Sequence, residues 1–267
     1  MSRFAKPGLL ESLHVDMYMN ARMSPASLQP DERLPRYQQL RDDLVGRIAA
    51  GEWAPGEAIP TEAELSMAYK VSTGTLRKAI DLLVAEGVLT RSQGKGTFVR
   101  RPRFDSSLFR FFRFKSASGE PVRPTARILR RTVGDPDDAV RQALQLGARA
   151  KVIHLSRLRL VDDRAVLSEE IWVPRDGFEP LASLAIADFG DLLYPLYERL
   201  CKQVVATARE TLRVGQADTV VAKTLGMRPG HPVIHVDRIA LNFAGKPVEC
   251  RSTVGAADGF RYEIEIR

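Results

Sequence analysis

Two short helical patterns that abut across a two-residue break, followed at once by a basic, glycine-tipped hairpin, constrain this chain more than any other feature. Thr61 precedes the first pattern and Glu64 stands three residues on, the spacing of a reciprocal capping box. Leu65, Ala68 and Tyr69 supply its apolar face, and Lys70-Val71 breaks it. Ser72 is placed to cap the second pattern. Leu76, Ala79, Ile80, Leu83 and Val84 form its buried stripe, and Gly87 ends it. Two amphipathic helices joined this tightly predict a helix-turn-helix. The stripe also fixes which side faces out: the side carrying Ser72, Thr73, Thr75, Arg77 and Lys78.

The flanks extend the unit. Tyr37, Leu40, Leu44 and Ile48 fall on one face of a helix that starts after Pro35 and stops at Gly51. Trp53-Ala-Pro-Gly56 reads as a turn. Leu89-Thr90-Arg91 and Thr97-Phe98-Val99 read as short strands bent at Gly94-Lys95-Gly96. A hairpin in that position is a wing. It adds Arg91, Gln93, Lys95 and Thr97, and Gly94 and Gly96 let its backbone approach a partner closely. A helix whose outer face carries donors can reach base edges and phosphates in a major groove. Each of these residues taken singly is more ordinarily a solvated surface group. The ordered set, Thr61 included, points to a duplex.

Charge agrees. The chain of 267 residues carries a net +7, and residues 91–115 hold eight bases (Arg91, Lys95, Arg100, Arg101, Arg103, Arg110, Arg113, Lys115) against Asp105 alone, a local excess as large as that of the whole chain. A solvated basic linker and a phosphate-binding patch are equal readings of that stretch; its neighbours favour phosphate. Phe109–Phe114 reads as a hinge or dimer core ahead of a base-stacking platform. Residues 1–30 form an expected mobile extension, in which Met17, Met19 and Met23 offer alternative starts. No signal-peptide core or membrane-length apolar run is read, so a cytoplasmic protein, associated with the nucleoid when on DNA, is expected. Cys201 and Cys250 read as free thiols.

Beyond residue 115 strands and helices alternate. Strands are expected at 126–133, 152–161, 165–173, 204–214, 233–243, 248–254 and 260–266. Helices are expected at 135–146, 191–201 and 216–225, the first capped by Asp135 with Pro136 in its first turn. Turns at Asp162-Asp163 and Gly245-Lys246 predict a largely antiparallel sheet with helices on one side. The fold class is therefore α+β, a winged helix-turn-helix followed by an antiparallel-sheet α+β domain. Expected boundaries are 31–100 for the first, 101–115 for a basic linker and 116–267 for the second. Arg157 and Arg159 are two apart on a strand and face the same way, able to clamp a carboxylate or phosphate. Cross-strand pairing with Glu169 or Glu210 is an equal reading.

Residues 35–100 resemble the winged helix of the GntR superfamily. The resemblance rests on Pro35-Arg-Tyr-Gln-Gln-Leu40, Gly51-Glu-Trp-Ala-Pro-Gly56, Ile59-Pro-Thr-Glu62, Val71-Ser72, Thr75-Leu-Arg77, Gly87 and Gln93-Gly-Lys-Gly-Thr-Phe98. Residues from about 109 onward resemble the UTRA effector domain of the HutC-like subfamily. The carriers there are Val152-Ile-His-Leu-Ser-Arg-Leu-Arg159, Leu167-Ser-Glu169, Trp172-Val-Pro174, Asp191-Leu-Leu-Tyr194, Ala208-Arg-Glu210, Gly245-Lys-Pro-Val-Glu249 and Arg251-Ser252. The resemblance implies a dimeric, metabolite-responsive regulator, usually a repressor, on a pseudo-palindromic double-stranded operator. It also implies the chorismate lyase fold for the second domain, with Arg157, Arg159, Glu169, Tyr194 and Glu249 at the effector cleft and no cofactor, metal or membrane partner.

Four departures qualify it. Ala63 and Thr73 stand where the family commonly has arginine, which leaves Arg77 of its frequent trio. Leu192 replaces a common Ser, and Gly255-Ala256 a common Tyr-Arg, which favours a small or more apolar organic acid over a sugar phosphate. A lyase-like enzyme and a ligand-independent DNA-binding protein are the alternatives. The sequence shows no catalytic set: His231 and His235 fall in a strand pattern around Pro232, and Gly94-Lys95-Gly96-Thr97 lacks the remaining positions of a P-loop.

Overall fold

A computed structural model describes residues 33–102 and 122–260. The chain divides into two compact units, Met1–Arg100 and Arg101–Arg267. The N-terminal extension, most of the expected linker with its phenylalanine cluster, and residues 261–266 of the expected last strand lie outside the described residues.

The first unit is built on three helices. α1 (Arg36–Ala49) buries Leu40, Leu44, Val45 and Ile48. α2 (Glu62–Tyr69) begins with the predicted capping box: the Thr61 hydroxyl accepts from Glu64 N at 3.3 Å, and the Glu64 carboxylate accepts from Thr61 N at 2.7 Å. The Thr61 hydroxyl also donates to that carboxylate at 2.8 Å and, with the backbone bond second, holds the Glu64 carboxyl below its ordinary pKa. Lys70 turns the chain in the left-handed region (φ 52°), and α3 (Thr73–Ala85) starts from Ser72, whose hydroxyl accepts from Thr75 N at 3.2 Å. Leu65, Leu76, Ala79, Ile80 and Leu83 close the core between the helices. Ala68 is exposed and Val84 only half-buried, contrary to expectation. α2 meets the core through Leu65 and the first helix through Tyr69, whose hydroxyl bonds Arg47 and Asp43, and Ala68 falls outside both contacts.

The wing is β1 (Leu89–Ser92) paired antiparallel with β2 (Gly96–Val99). Residues 56–59 run along the free edge of β2, with Gly56 N donating to Val99 O at 2.8 Å and Ile59 N to Thr97 O at 2.9 Å. The wing is thereby tied to the loop that leads into α2.

The second unit is a six-stranded antiparallel sheet in the order β3-β4-β5-β8-β7-β6. Its strands are β3 (Thr125–Gly134), β4 (Val152–Val161), β5 (Arg164–Pro174), β6 (Thr207–Gln216), β7 (Pro232–Leu241) and β8 (Pro247–Ala256). Asp162 and Asp163 both adopt positive φ (48° and 59°), the geometry of a two-residue turn matched to strand twist. Between strands lie α4 (Asp138–Ala143), α5 (Glu179–Ser183), a 3₁₀ turn (Ile186–Phe189), α6 (Leu193–Leu196), a π turn (Tyr197–Cys201) and α7 (Thr219–Leu225).

Several boundaries differ from the sequence reading, each for a local reason. α4 is capped by Asp137, which accepts from Val140 N at 2.7 Å, whereas Asp135 pairs with Lys151 at 2.8 Å. The helix expected over 191–201 is one short helix running into a π turn. Pro195 offers no N–H, and the Asp191 carboxylate is engaged elsewhere, by Ala126 N at 2.7 Å. α7 starts from Asp218, because Gln216 still belongs to β6.

Helical segments cover both faces of the sheet rather than one. Phe178, Leu181, Phe189, Leu193, Leu196 and Tyr197 pack on Ile153, Leu155, Ile171 and Val173. α4 packs through Val140 and Leu144 on Val152, Trp172 and Cys250, which alternate with those residues and so face the other way.

Candidate functional site

Two clusters gather the residues singled out above, one in each unit. On the first unit, Thr61, Ser72, Thr73, Arg77, Lys78, Arg91, Gln93, Gly94, Lys95 and Gly96 are exposed, and Thr75 and Thr97 half-buried. The outward face of α3 is open among the described residues, with its apolar stripe turned inward.

The structure links Arg77 on α3 with Arg91 on β1 through one carboxylate. Glu62 Oε2 accepts from Arg77 Nε at 3.1 Å and Nη2 at 3.0 Å, and its Oε1 accepts from Arg91 Nη2 at 3.2 Å. Arg91 Nη1 reaches Asp81 on the exposed side of α3. Lys78 lies apart from this group: its ammonium sits 3.9 Å above the Tyr37 ring of α1. At the wing tip Lys95 N donates to Ser92 O at 3.0 Å, and Gly94 and Gly96 take φ of 72° and 119°, where a side chain would be strained.

The second cluster lies inside the sheet. Ile128, Arg157, Glu169, Thr253, Val236 and Leu212 form one row across all six strands. The adjacent row holds Ile171, Arg251, Arg238 and Glu210. Arg157, Arg159, Glu169, Tyr194 and Glu249 are brought together around these rows.

Glu169 is the hub. Its Oε2 accepts from Arg157 Nε at 2.6 Å and Arg159 Nε at 3.1 Å, and Arg251 Nη1 approaches its Oε1 at 3.4 Å. Burial would raise the pKa of this carboxyl, but the charges of Arg157, Arg159 and Arg251 reverse that and lower it to about 2. Burial outweighs Glu169 at Arg159, with Arg157 and Arg251 adding repulsion, and lowers that guanidinium to about 10.

Glu249 forms a second hub. It accepts from Arg251 Nη2 at 2.8 Å, Tyr197 Oη at 2.8 Å and Tyr194 Oη at 3.1 Å. Burial and the nearby Glu249 charge push the Tyr194 phenol up to about 12. Arg238 donates to Tyr194 Oη at 3.2 Å and pairs with Glu210. Of the two sequence readings the structure shows the cross-strand pairing, of Arg157 and Arg159 with Glu169, while Glu210 pairs with Arg238.

Among the described residues the arginines 157, 159, 238 and 251 meet the glutamates 169, 210 and 249. Both terminal nitrogens of Arg157, Nε of Arg251 and the Thr253 hydroxyl are buried without a hydrogen-bond partner among the described residues. An unsatisfied buried donor costs about 1–3 kcal/mol, more when charged, so donors left like this are poised for an acceptor. Beside the cluster a cleft of about 350 Å³ is walled by Ala126, Ile128, Ile186, Phe189, Gly190 and Asp191. Arg159 Nη1 donates to the Asp191 carbonyl on that wall at 2.7 Å.

Arg238, Tyr197 and Thr253 were not singled out from sequence, and Arg251 was read only as a carrier of the resemblance, without a site role. Alternation could have found Arg251, two residues from Glu249 on β8. Only the tertiary fold brings Tyr197 and Arg238 in.

Both units match known families. Residues 36–99 match the family described as bacterial regulatory proteins, gntR family, and residues 120–261 match the UTRA domain. The chain belongs to the GntR family of regulators that carry a UTRA domain. It is 30% identical over 215 residues to a protein of Escherichia coli K12 named probable fructoselysine utilization operon transcriptional repressor, covering 79% of this chain and 86% of that one. It is 27% identical over 230 residues to the transcriptional repressor NagR of Bacillus subtilis, covering 86% and 93%. Among solved structures, the ligand-binding domain of a GntR-family chain from Bordetella bronchiseptica aligns with a TM-score of 0.52 and 25% identity, covering 59% of this chain and 98% of that one. PhnF from Mycobacterium smegmatis aligns with a TM-score of 0.51 and 20% identity, covering 85% and 98%. This GntR-family chain is accordingly a DNA-binding transcriptional regulator, and its family consists of regulators rather than enzymes. No helix of the described residues is long and apolar enough to cross a membrane.

Proposed function

We propose that this regulator is a metabolite-responsive repressor that binds a pseudo-palindromic operator as a homodimer and whose effector is a small organic acid. The observation that carries the effector reading is the buried cluster around Glu169, with the nitrogens of Arg157 and Arg251 that have no hydrogen-bond partner among the described residues. A bound carboxylate supplies acceptors for them. The relatives' names, among them repressors of fructoselysine utilization and of mannosyl-D-glycerate transport and metabolism, support a regulator that answers to a nutrient. DNA is read by Arg77 and its hydroxyl neighbours on α3, with the wing on the flanking phosphates.

The homodimer follows from operator symmetry: two copies present two copies of α3 at a spacing set by their effector domains. An acid that binds one arrangement better shifts the population toward it. The chain that joins the two units, residues 101–115, carries the shift.

The test uses the full chain, a duplex it selects from a random pool, and a panel of mono- and dicarboxylates with inorganic phosphate as control. A carboxylate is expected to raise the thermal midpoint of the parent, to leave Arg157→Met unmoved, and to change the affinity for the selected duplex. An acid that binds while duplex affinity stays constant overturns the responsive part. A complex that sediments with a single copy on the duplex overturns the dimer.

A further inference from the structure

The arginines that face the duplex are not free side chains waiting for it. Glu62 occupies the first position of α2, where the helix dipole favours a carboxylate, and is itself only 26% exposed. Each of its oxygens is committed to a different arginine on a different element: Oε2 to Arg77 of α3, Oε1 to Arg91 of the wing. Asp81 holds the other end of Arg91. These two carboxylates cancel the charge of the two arginines they hold.

We infer that Glu62 is a specificity-determining positioning residue: it fixes the Arg77 guanidinium for base readout and withholds both arginines from indiscriminate phosphate binding. The geometry bears on this directly. Nε and Nη2 of Arg77 lie on the carboxylate, so the outward edge of the guanidinium is presented with its rotamer already chosen. Arg77 is 61% exposed, and an unrestrained arginine there would sample many rotamers and close on any phosphate. A phosphate competing for the held edge must displace Glu62, which repels it. A guanine can engage the outward edge with the carboxylate still in place. The role matters more here than where several arginines share the reading, because Ala63 and Thr73 bring no guanidinium to this surface.

The inference rests on the reading of α3 as the base-contacting helix, and the experiment separates the two. Affinities of the full chain for its selected duplex and for a random duplex are measured by fluorescence anisotropy over a salt series, for the parent, Glu62→Gln, Arg77→Ala and the double variant. Glu62→Gln is expected to bind random duplex more tightly, with a salt slope steeper by about one, and to lose about tenfold of the selected-to-random ratio. Arg77→Ala is expected to lose a similar ratio in the parent and to lose little more in the Glu62→Gln background, since the two act as one unit. If Glu62→Gln moves both affinities by the same factor, or the two losses simply multiply, the inference is overturned while the α3 reading stands. If Arg77→Ala alone leaves the ratio unchanged, the α3 reading itself falls. Gln keeps the size of Glu and the Thr61–Glu64 box is untouched, so a matching thermal midpoint is expected. Asp81→Asn loosens Arg91 alone and is expected to steepen the salt slope while keeping the ratio; loss of the ratio there as well would assign the effect to net charge and overturn the role of Glu62.

Discussion

Arg157 and Glu169 stand directly opposite one another on β4 and β5, 2.6 Å apart, with neither side chain exposed to solvent. A buried pair of this kind contributes little to stability relative to an apolar pair of the same volume, yet breaking it is costly. The two halves are not equivalent. Glu169 also serves Arg159 and Arg251, so Glu169→Gln takes a counter-charge from three buried cations at once, although Arg251 keeps Glu249 and Arg159 keeps the Asp191 carbonyl. Arg157→Met leaves Glu169 with two partners and removes two unsatisfied nitrogens. Glu169→Gln is therefore expected to destabilise the second unit by about 3–5 kcal/mol, and Arg157→Met by about 1 kcal/mol or less. Urea unfolding of the full chain, followed at Trp172 with Trp53 replaced by Phe, measures both. Equal losses would contradict the hub role of Glu169.

The same carboxylate predicts an acid limb. Its folded pKa of about 2 lies below the ordinary 4.5, so the folded state favours the ionised form. The resulting stabilisation is fully present above about 4.5 and is lost as pH falls through about 2. Urea midpoints taken from pH 6 downward are expected to fall within that window in the parent. In Glu169→Gln that component should be absent; an unchanged slope would show that other carboxylates carry the acid limb.

The caps of the reading head make a local prediction. Ser72 accepts from Thr75 N, and its hydroxyl also meets the Thr75 hydroxyl at 2.9 Å. Ser72→Ala removes the acceptor and leaves the first turn of α3 to water. A loss of about 1 kcal/mol is expected in the first unit, with the second unit unchanged. Trp53 fluorescence in a Trp172→Phe background reports the first unit alone, because each unit holds one of the two tryptophans. A loss shared equally by both reporters would refute the local account.

What could be read before the fold was known follows a physical divide. Thr61–Glu64, Ser72 and the Asp162-Asp163 turn were legible because each is satisfied by atoms within three residues. The choice between Asp135 and Asp137 was harder: both stand near the start of α4, and the deciding partner of Asp135 is Lys151, sixteen residues away. The helix expected over 191–201 failed for the same reason, since Asp191 caps nothing locally and binds a strand sixty-five residues earlier. Same-face arginines on β4 were legible from alternation. Their meeting with Arg251, Arg238 and two tyrosines depends on β8 lying between β5 and β7, and strand order is not written in any local pattern. Glu62 was hidden for a different reason. Its motif position marked it as part of the helix start, whereas its function depends on two guanidiniums that reach it from other elements.

Asp191 offers the remaining prediction, because it joins the charged cluster to the start of the sheet. Its carbonyl accepts from Arg159 Nη1 at 2.7 Å, and its carboxylate accepts from Ala126 N at 2.7 Å, one residue into β3. An acid that draws Arg159 toward itself loosens the first bond and frees the segment that carries the second. β3 is the first strand of the second unit among the described residues, so on the proposed reading movement there is what the DNA-binding unit answers to. Asp191→Ala keeps the carbonyl and so keeps the Arg159 bond, but releases Ala126. Hydrogen exchange at the Ala126 amide is expected to quicken in this variant, and acid binding to stay within a few-fold of the parent. The change in duplex affinity on adding the acid should shrink, because the bound state no longer reaches β3 through this contact. Full coupling alongside fast exchange at Ala126 would place the path elsewhere in the sheet.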